Sequence, residues 1–234
     1  MKAADQFPWP VPPFNQSHYI TGNFCEYRST TNPAHFHNGI DIPNPDGAPV
    51  YAVKNGTVDV IDPVGDAAYV RVDDIAYVHV LPNPALNVGD PVTAGVTILG
   101  TTISGQGHVH LTYGYVGGEK NCLLPNSGLT PFVDVWPPII RYVKFLRNNT
   151  SDELPVGVVS GKVDIVVKVD EQNGPPNYST SVLNNGTYRI GYRILSADSS
   201  TIVYEPPVNG TRFSFDTKPA NSYVDIVYYK LRPG

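Results

Sequence analysis

The stretch AHFHNGIDIPNPDGAPVYAVKNGTV, residues 34–58, carries two of the chain's six histidines, an aspartate four residues after the second, and a glycine between those two. Polar side chains are costly inside a strand-rich domain unless they are partnered. His37 and Asp41 therefore invite a shared purpose, and one bound ion would supply it. Four extended residues span about 13 Å, too far for two ligands each ~2 Å from one ion. The chain must turn between them, and Gly39, lacking a Cβ, allows it. Further on, Asn55-Gly56 has the form of a hairpin turn, since both residues tolerate positive φ.

The rest of the 234 residues sets the frame for this segment. Hydrophobic residues make up 41 % of the chain, enough for a core, while Pro 23 and Gly 21 make it turn-dense. Tyr 15, with many Val and Thr, favours strands, whose pleated surface suits branched and aromatic side chains. A net charge of −5 with no basic stripe argues against a nucleic-acid partner. No apolar run reaches the ~20 residues of a membrane span. The opening MKAADQFPWPVPPF has no apolar signal-peptide core. Cys25 and Cys122 are either two buried thiols or one bridge, which would close a long loop.

Residues 1–19 are Pro-rich and read as an extended segment. From Ile20, short strand-like runs alternate with turn signals, the pattern of an antiparallel all-β domain. The run VWPPIIRYVKFL (135–146) holds the one short helix expected there. Around RNNTSDELPVG (147–157) the texture changes. KVDIVVKVD, GTYRIGYRILSA, STIVYEP, TRFSFDT and SYVDIVYYKL follow, and they read as a small Ig-like β-sandwich over 152–234. All six histidines precede residue 111, so the chemistry belongs to the first part of the chain.

His108-Val109-His110 supplies a second histidine pair. Residues i and i+2 share one face of a strand, so one imidazole can bind an ion while its neighbour sits beside the ion's other partners. His79, in AYVHVLP, is expected in another strand, whereas His18 and His35 are expected to stay outside any site. An HxxxD and an HxH in one small β domain match a zinc site of three protein ligands and an open position.

Taken in order, ITGNFCEYR (20–28), HFHNGIDIPNPDGAPVYAVKNGTV, AYVHV, NVGDPVTAGVTILG and GHVHL resemble the lysostaphin-type (LytM, beta-lytic) zinc metallopeptidases, over residues 20 to about 146. The resemblance implies a mainly β fold with an antiparallel β-sheet groove, a duplicated hybrid motif, as a metallopeptidase domain over 20–148. It implies one Zn2+ per chain on His37, Asp41 and His110, with His108 and His79 as the catalytic, non-ligand histidines. The activity implied is endopeptidase cleavage of peptidoglycan crosslinks or stem peptides by a metal-activated water, outside the cytoplasm. The partner is then peptidoglycan or a glycine-containing peptide, met by a monomeric chain. Departures from the family pattern are Cys25 where glycine is usual, a shortened DDI turn, and Val80 where leucine is commoner.

Three rival readings follow from the same residues. A non-catalytic member that binds cell wall or activates another hydrolase typically loses ligands, and this chain keeps all three. A lipoyl-type carrier would explain VGDPVTAGVTILG but needs a lysine in a hairpin turn, commonly beside methionine, and the one Met is Met1. A pure adhesion protein leaves five ordered histidines without a purpose.

Overall fold

The computed structural model describes residues 6–124, 127–155, 157, 159–171 and 186–229. Period-two alternation of apolar and polar residues produces antiparallel strands, and the chain is mainly β. Six strands form the largest sheet, in the order Pro91–Val92, Gly56–Asp62, Tyr69–Val72, Ile75–Val78, His108–Tyr113 and Ile40–Pro43, every neighbour antiparallel. A second sheet orders Pro49–Tyr51, Ile98–Thr102 and Val80–Pro82. Val70, Val72, Ile75, Tyr77, Val109 and Leu111 point from the large sheet into the core and are buried. The alternate residues of the same strands, among them Tyr69, Arg71, His108, His110 and Thr112, face the other way, and that face carries the site.

Several expectations change in three dimensions. The run expected to hold a helix forms the strand Ile139–Arg147, paired with Val163–Asp170. Pro137 and Pro138 impose extended backbone, and the branched and aromatic residues that follow favour a pleat over a helix. Conversely, part of SYVDIVYYKL makes a 3-10 turn, Asn221–Tyr223, and a single helical turn, Val224–Val227. Val224, Val227 and Tyr228 recur at helical spacing and lie on the core. Lys230 and Leu231 lie outside the described residues. Asn55-Gly56 does not close a hairpin, because the strands on either side belong to different sheets. Gly56 is small for another reason: a Cβ there would lie 2.3 Å from Asp73 Oδ2.

Where an extended N-terminal segment is expected, only Gln6–Phe7 forms a strand among its described residues, 10–16 bend and turn, and the segment is also core. Gln6–Phe7 pairs with Gly128–Leu129, Trp9 is fully buried, and its indole N–H donates to the Pro131 carbonyl at 2.7 Å. Beyond residue 152, where a sandwich was expected, the described strands make two-stranded antiparallel ladders. Ile165, Ile194 and Ile202 stay exposed, while Phe215 and Val224 join the core formed by residues 7–129. Phe215 packs on Phe36, Asn121 Nδ2 donates to the Phe215 carbonyl at 3.1 Å, and the Tyr228 hydroxyl donates to the Cys25 carbonyl at 2.8 Å. Both cysteines are free and buried. Burial raises both thiols, Cys122 to about 12, so neither is a ready nucleophile.

Phe215→Ala should lower unfolding stability by about 3–5 kcal/mol, the usual cost of emptying a buried aromatic site. Ile194→Ala, at an exposed position of the same C-terminal region, should stay within about 0.5 kcal/mol. Urea unfolding followed by tryptophan fluorescence measures both. Equal small effects would mean that the C-terminal residues contribute nothing to the shared core.

Candidate metal centre

Register brings the site together. In the antiparallel pair of Ile40–Pro43 with His108–Tyr113, His110 stands directly opposite Asp41. His37 precedes that strand and is tied to the loop at 22–28 by two backbone bonds, His37 N–H to the Glu26 carbonyl and Cys25 N–H to the His37 carbonyl. Cys25 takes φ +64°, the left-handed region where glycine is at ease, which accounts for the glycine usual at this place in the family it resembles. Gly39 serves close approach rather than a left-handed turn. A Cβ there would lie 2.3 Å from the Leu111 carbonyl oxygen and 2.8 Å from His110 Nε2.

Three ligand atoms meet in a small triangle. His37 Nε2 lies 2.9 Å from His110 Nδ1, His110 Nδ1 lies 2.9 Å from Asp41 Oδ1, and His37 Nε2 lies 3.2 Å from Asp41 Oδ1. Ligands ~2.0–2.1 Å from a tetrahedral zinc stand ~3.3 Å apart, so the triangle is sized for that ion after a shift of a few tenths of an ångström. His37, Asp41 and His110 are also the one group of three such donors found among the described residues.

The second nitrogen of each imidazole settles which atom points inward. His37 Nδ1 lies 2.8 Å from the Asn23 carbonyl, which can only accept, so the ring carries its proton there and turns the Nε2 lone pair into the triangle. His110 Nε2 lies 3.0 Å from Thr112 Oγ1, a hydroxyl able to take that proton's hydrogen bond and leave Nδ1 to an ion. Burial lowers the His110 imidazole to about 4, against the pull of Asp41, so it is neutral and ligand-ready at neutral pH. Burial alone would raise the Asp41 carboxyl, but bonds and charge from His110 and His37 hold it well below the usual carboxylate range. The donor set fits zinc.

His108 and His79 stand beside the triangle, outside it. His108 Nε2 is 3.7 Å from Asp41 Oδ1, and the His79 and His108 rings are 4.8 Å apart. Each donates from Nδ1 to a carbonyl at 2.6 Å, His108 to Gln106 and His79 to Asp66, which leaves each Nε2 with a free lone pair. His79 is not inside a strand as expected. It lies between Ile75–Val78 and Val80–Pro82 with φ +62°, a conformation rare for a residue with a side chain and typical of functional sites. His18 and His35 have local partners, Pro13 and Thr31, and neither joins the group.

Other contributors carry no signature in the sequence reading. Arg28 Nη2 bonds Asp41 Oδ2 at 2.6 Å and Glu26 Oε1 at 2.5 Å, which engages the carboxylate's outer oxygen and leaves Oδ1 to the triangle. Gly22 makes room for this contact, since a Cβ there would lie 2.3 Å from both Arg28 Nη2 and Asp41 Oδ2. Asp46 accepts from the Gly105 and Gly107 N–H groups at 2.6 and 2.9 Å, clamping the loop whose Gln106 carbonyl holds His108. Arg28 closes the ITGNFCEYR stretch, the one hint of it in sequence. Asp46 gave none.

No protein-family model matches the chain. It is 34 % identical over 113 residues to two uncharacterized proteins, Rv3786c of Mycobacterium tuberculosis and Mb3815c of Mycobacterium bovis; the match covers 44 % of this chain and 27 % of each relative, so the chain spans about a quarter of their length. Among solved structures it is similar to LytU (27 % identity, TM-score 0.34, 44 % of this chain and 79 % of that one). It is also similar to a zinc-containing peptidase from Vibrio cholerae (25 %, TM-score 0.35, 44 % and 35 %). A third likeness is to the catalytic domain of the prophage-encoded M23 protein EnpA from Enterococcus faecalis (25 %, TM-score 0.33, 51 % and 92 %).

Asp46→Ala removes both acceptors of the loop clamp. The Gly105 and Gly107 amides should then exchange with solvent roughly tenfold faster or more, while the Tyr77 and Leu111 amides keep their protection. Hydrogen exchange read by NMR decides it; unchanged protection at 105 and 107 would mean the loop holds itself.

Proposed function

We propose that this chain is a zinc-dependent endopeptidase acting outside the cytoplasm on peptidoglycan crosslinks or stem peptides. His37, Asp41 and His110 hold one zinc ion, and His108 and His79 handle protons. The observation that supports this most is the set of fixed ring orientations: two imidazoles and one carboxylate oxygen converge on a zinc-sized triangle, while two further imidazoles offer free Nε2 atoms beside it. A structural cluster has no need for the second pair.

Bound by His37, Asp41 and His110, a zinc ion would supply the Lewis acidity that acidifies water toward neutral pH and polarises a peptide carbonyl. His108 Nε2, with Nδ1–H held by Gln106, accepts the proton that the attacking water gives up and returns it to the leaving amine. His79 has its Nδ1–H committed to Asp66, so it donates to the carbonyl oxygen only when Nε2 carries a second proton, and otherwise shares the base's work. Glu26, joined to Asp41 through the shared Arg28 Nη2, is engaged by that guanidinium, and the proton transfer falls to histidine. Among the described residues no helix is long and apolar enough to cross a membrane.

Protein never exposed to chelator should carry about one zinc per chain, since three ligands and an open position hold this ion well. His110→Ala should lose metal affinity by orders of magnitude and activity with it. His108→Ala and His79→Ala should keep stoichiometric zinc and lose ~10²–10⁴-fold in rate. His35→Ala should change neither. Metal analysis beside rates reads all of these; a His108→Ala protein without zinc and a His110→Ala protein that retains it would reverse the assignment.

Mass spectrometry of muropeptides released from several purified peptidoglycans identifies the bond cut. Wild-type protein should yield new amino termini that the His108→Ala protein does not. Fully zinc-loaded wild type that releases none from any wall type would favour the wall-binding, non-catalytic reading.

A further inference from the structure

The face that carries the site continues past the triangle into an open pocket. Two cross-strand rows build it. Asp41, His110, Val78 and Tyr69 form one row, and Thr112, Ala76 and Arg71 form the next. The rows lie about 7 Å apart along the strands, two residues of extended chain. Tyr69, Arg71, Ala76 and Thr112 line the pocket together with Asn38 and Glu119. It is joined directly to the metal centre, because Thr112 Oγ1 is also the partner of His110 Nε2.

Arg71 is held in place but not neutralised. Its Nη1 donates to the Gly114 carbonyl at 3.2 Å, and its guanidinium lies 4.9 Å from the centroid of the Tyr115 ring, whose hydroxyl donates to the Asp73 carbonyl at 3.2 Å. Among the described residues no carboxylate pairs with it, although Arg28, Arg141, Arg147 and Arg193 all have one. Glu119, at the pocket's end, is buried and committed elsewhere: it accepts from the Gly117 N–H and faces Lys218 Nζ at 3.7 Å. None of the five guanidinium N–H donors thus meets a carboxylate among the described residues, and one is engaged by the Gly114 carbonyl, beside a pocket wall that includes Ala76 and Thr112.

We propose that this pocket is a specificity subsite for a substrate residue bearing a carboxylate within about two residues of the scissile bond, and that Arg71 reads that carboxylate. The inference rests on the peptidase reading for the location of the scissile bond. A guanidinium pre-set by one carbonyl and one aromatic ring presents a planar fork, which matches a carboxylate better than it matches a neutral amide.

The test uses the full zinc-loaded chain and acetyl-hexaglycine-amide peptides with a single Glu, Gln or Lys placed at each position in turn. The Glu-to-Gln ratio is read from kcat/KM for peptides that are cut, and from Kd by NMR titration for peptides that are not. Wild type should favour Glu over Gln about 10–100-fold at one position, the worth of a charged hydrogen bond. Arg71→Gln should bring that ratio close to one, and Arg71→Lys should retain part of it, with zinc content unchanged in both. Ratios within about twofold at every position of the wild type, or a preference that survives Arg71→Gln, would overturn the proposal. A preference for Lys would assign the pocket to Glu119 and overturn it equally. Glu-selective, Arg71-dependent binding by a zinc-loaded protein that cuts neither these peptides nor any wall type would reject the peptidase reading and uphold the pocket as a carboxylate site.

Discussion

The register that sets His110 opposite Asp41 is the constraint on which the rest of the molecule depends. Side chains alternate along a strand, so a slip of one residue would turn Val109 and Leu111 toward the site face and drive the imidazoles into the apolar core. The alternating pattern of His108–Tyr113 forbids that exchange, because Val109 and Leu111 are fully buried where they are. Gly39 is part of the same constraint. Only a residue without a Cβ lets its backbone come as close to Leu111 as this pairing demands.

Once the register holds, the polar groups at the centre need partners, since buried dipoles without them are costly. The solution is mostly backbone. Carbonyls of Asn23, Gln106 and Asp66 each hold one imidazole nitrogen and thereby free the other. Carbonyl acceptors cannot donate, so the fold fixes which nitrogen of each ring carries the hydrogen that faces the backbone. The two loops that provide the Asn23 and Gln106 carbonyls are themselves fastened, the first by Arg28, Glu26 and Tyr228, the second by Asp46. A centre held by fixed donors and acceptors has little reorganisation left to do when charge moves.

The C-terminal residues enter the same network from behind. Tyr228 bonds the Cys25 carbonyl, Asn221 Oδ1 accepts from the Phe36 N–H at 3.3 Å, and the Phe215 ring packs against Phe36, the residue before His37. The segment that carries no histidine therefore supports the backbone on which the ligands sit. Its outward strands keep apolar residues in water, and its inward residues complete a core begun more than 170 residues earlier.

Some of this could be read from residue order alone, and the reason is locality. An HxH on a strand shares one face whatever the fold, and an HxxxD brought round by a compact chain offers two ligands, so His37, Asp41, His108 and His110 group by spacing, whereas His79 enters the candidate set only through the family resemblance. Alternation and turn residues likewise made the β class legible. Where local pattern and structure part, the cause is a partner outside the segment: Ile139–Arg147 pairs with Val163–Asp170, and the turn Val224–Val227 lies on the core. What only the tertiary structure decided is which carbonyl holds each ring, that Arg28 takes the outer oxygen of Asp41, that Asp46 clamps the loop beneath His108, and that Arg71 has no carboxylate partner among the described residues. Backbone carbonyls are the same at every position and carry no mark in a sequence, so their placement exists only once the chain has folded.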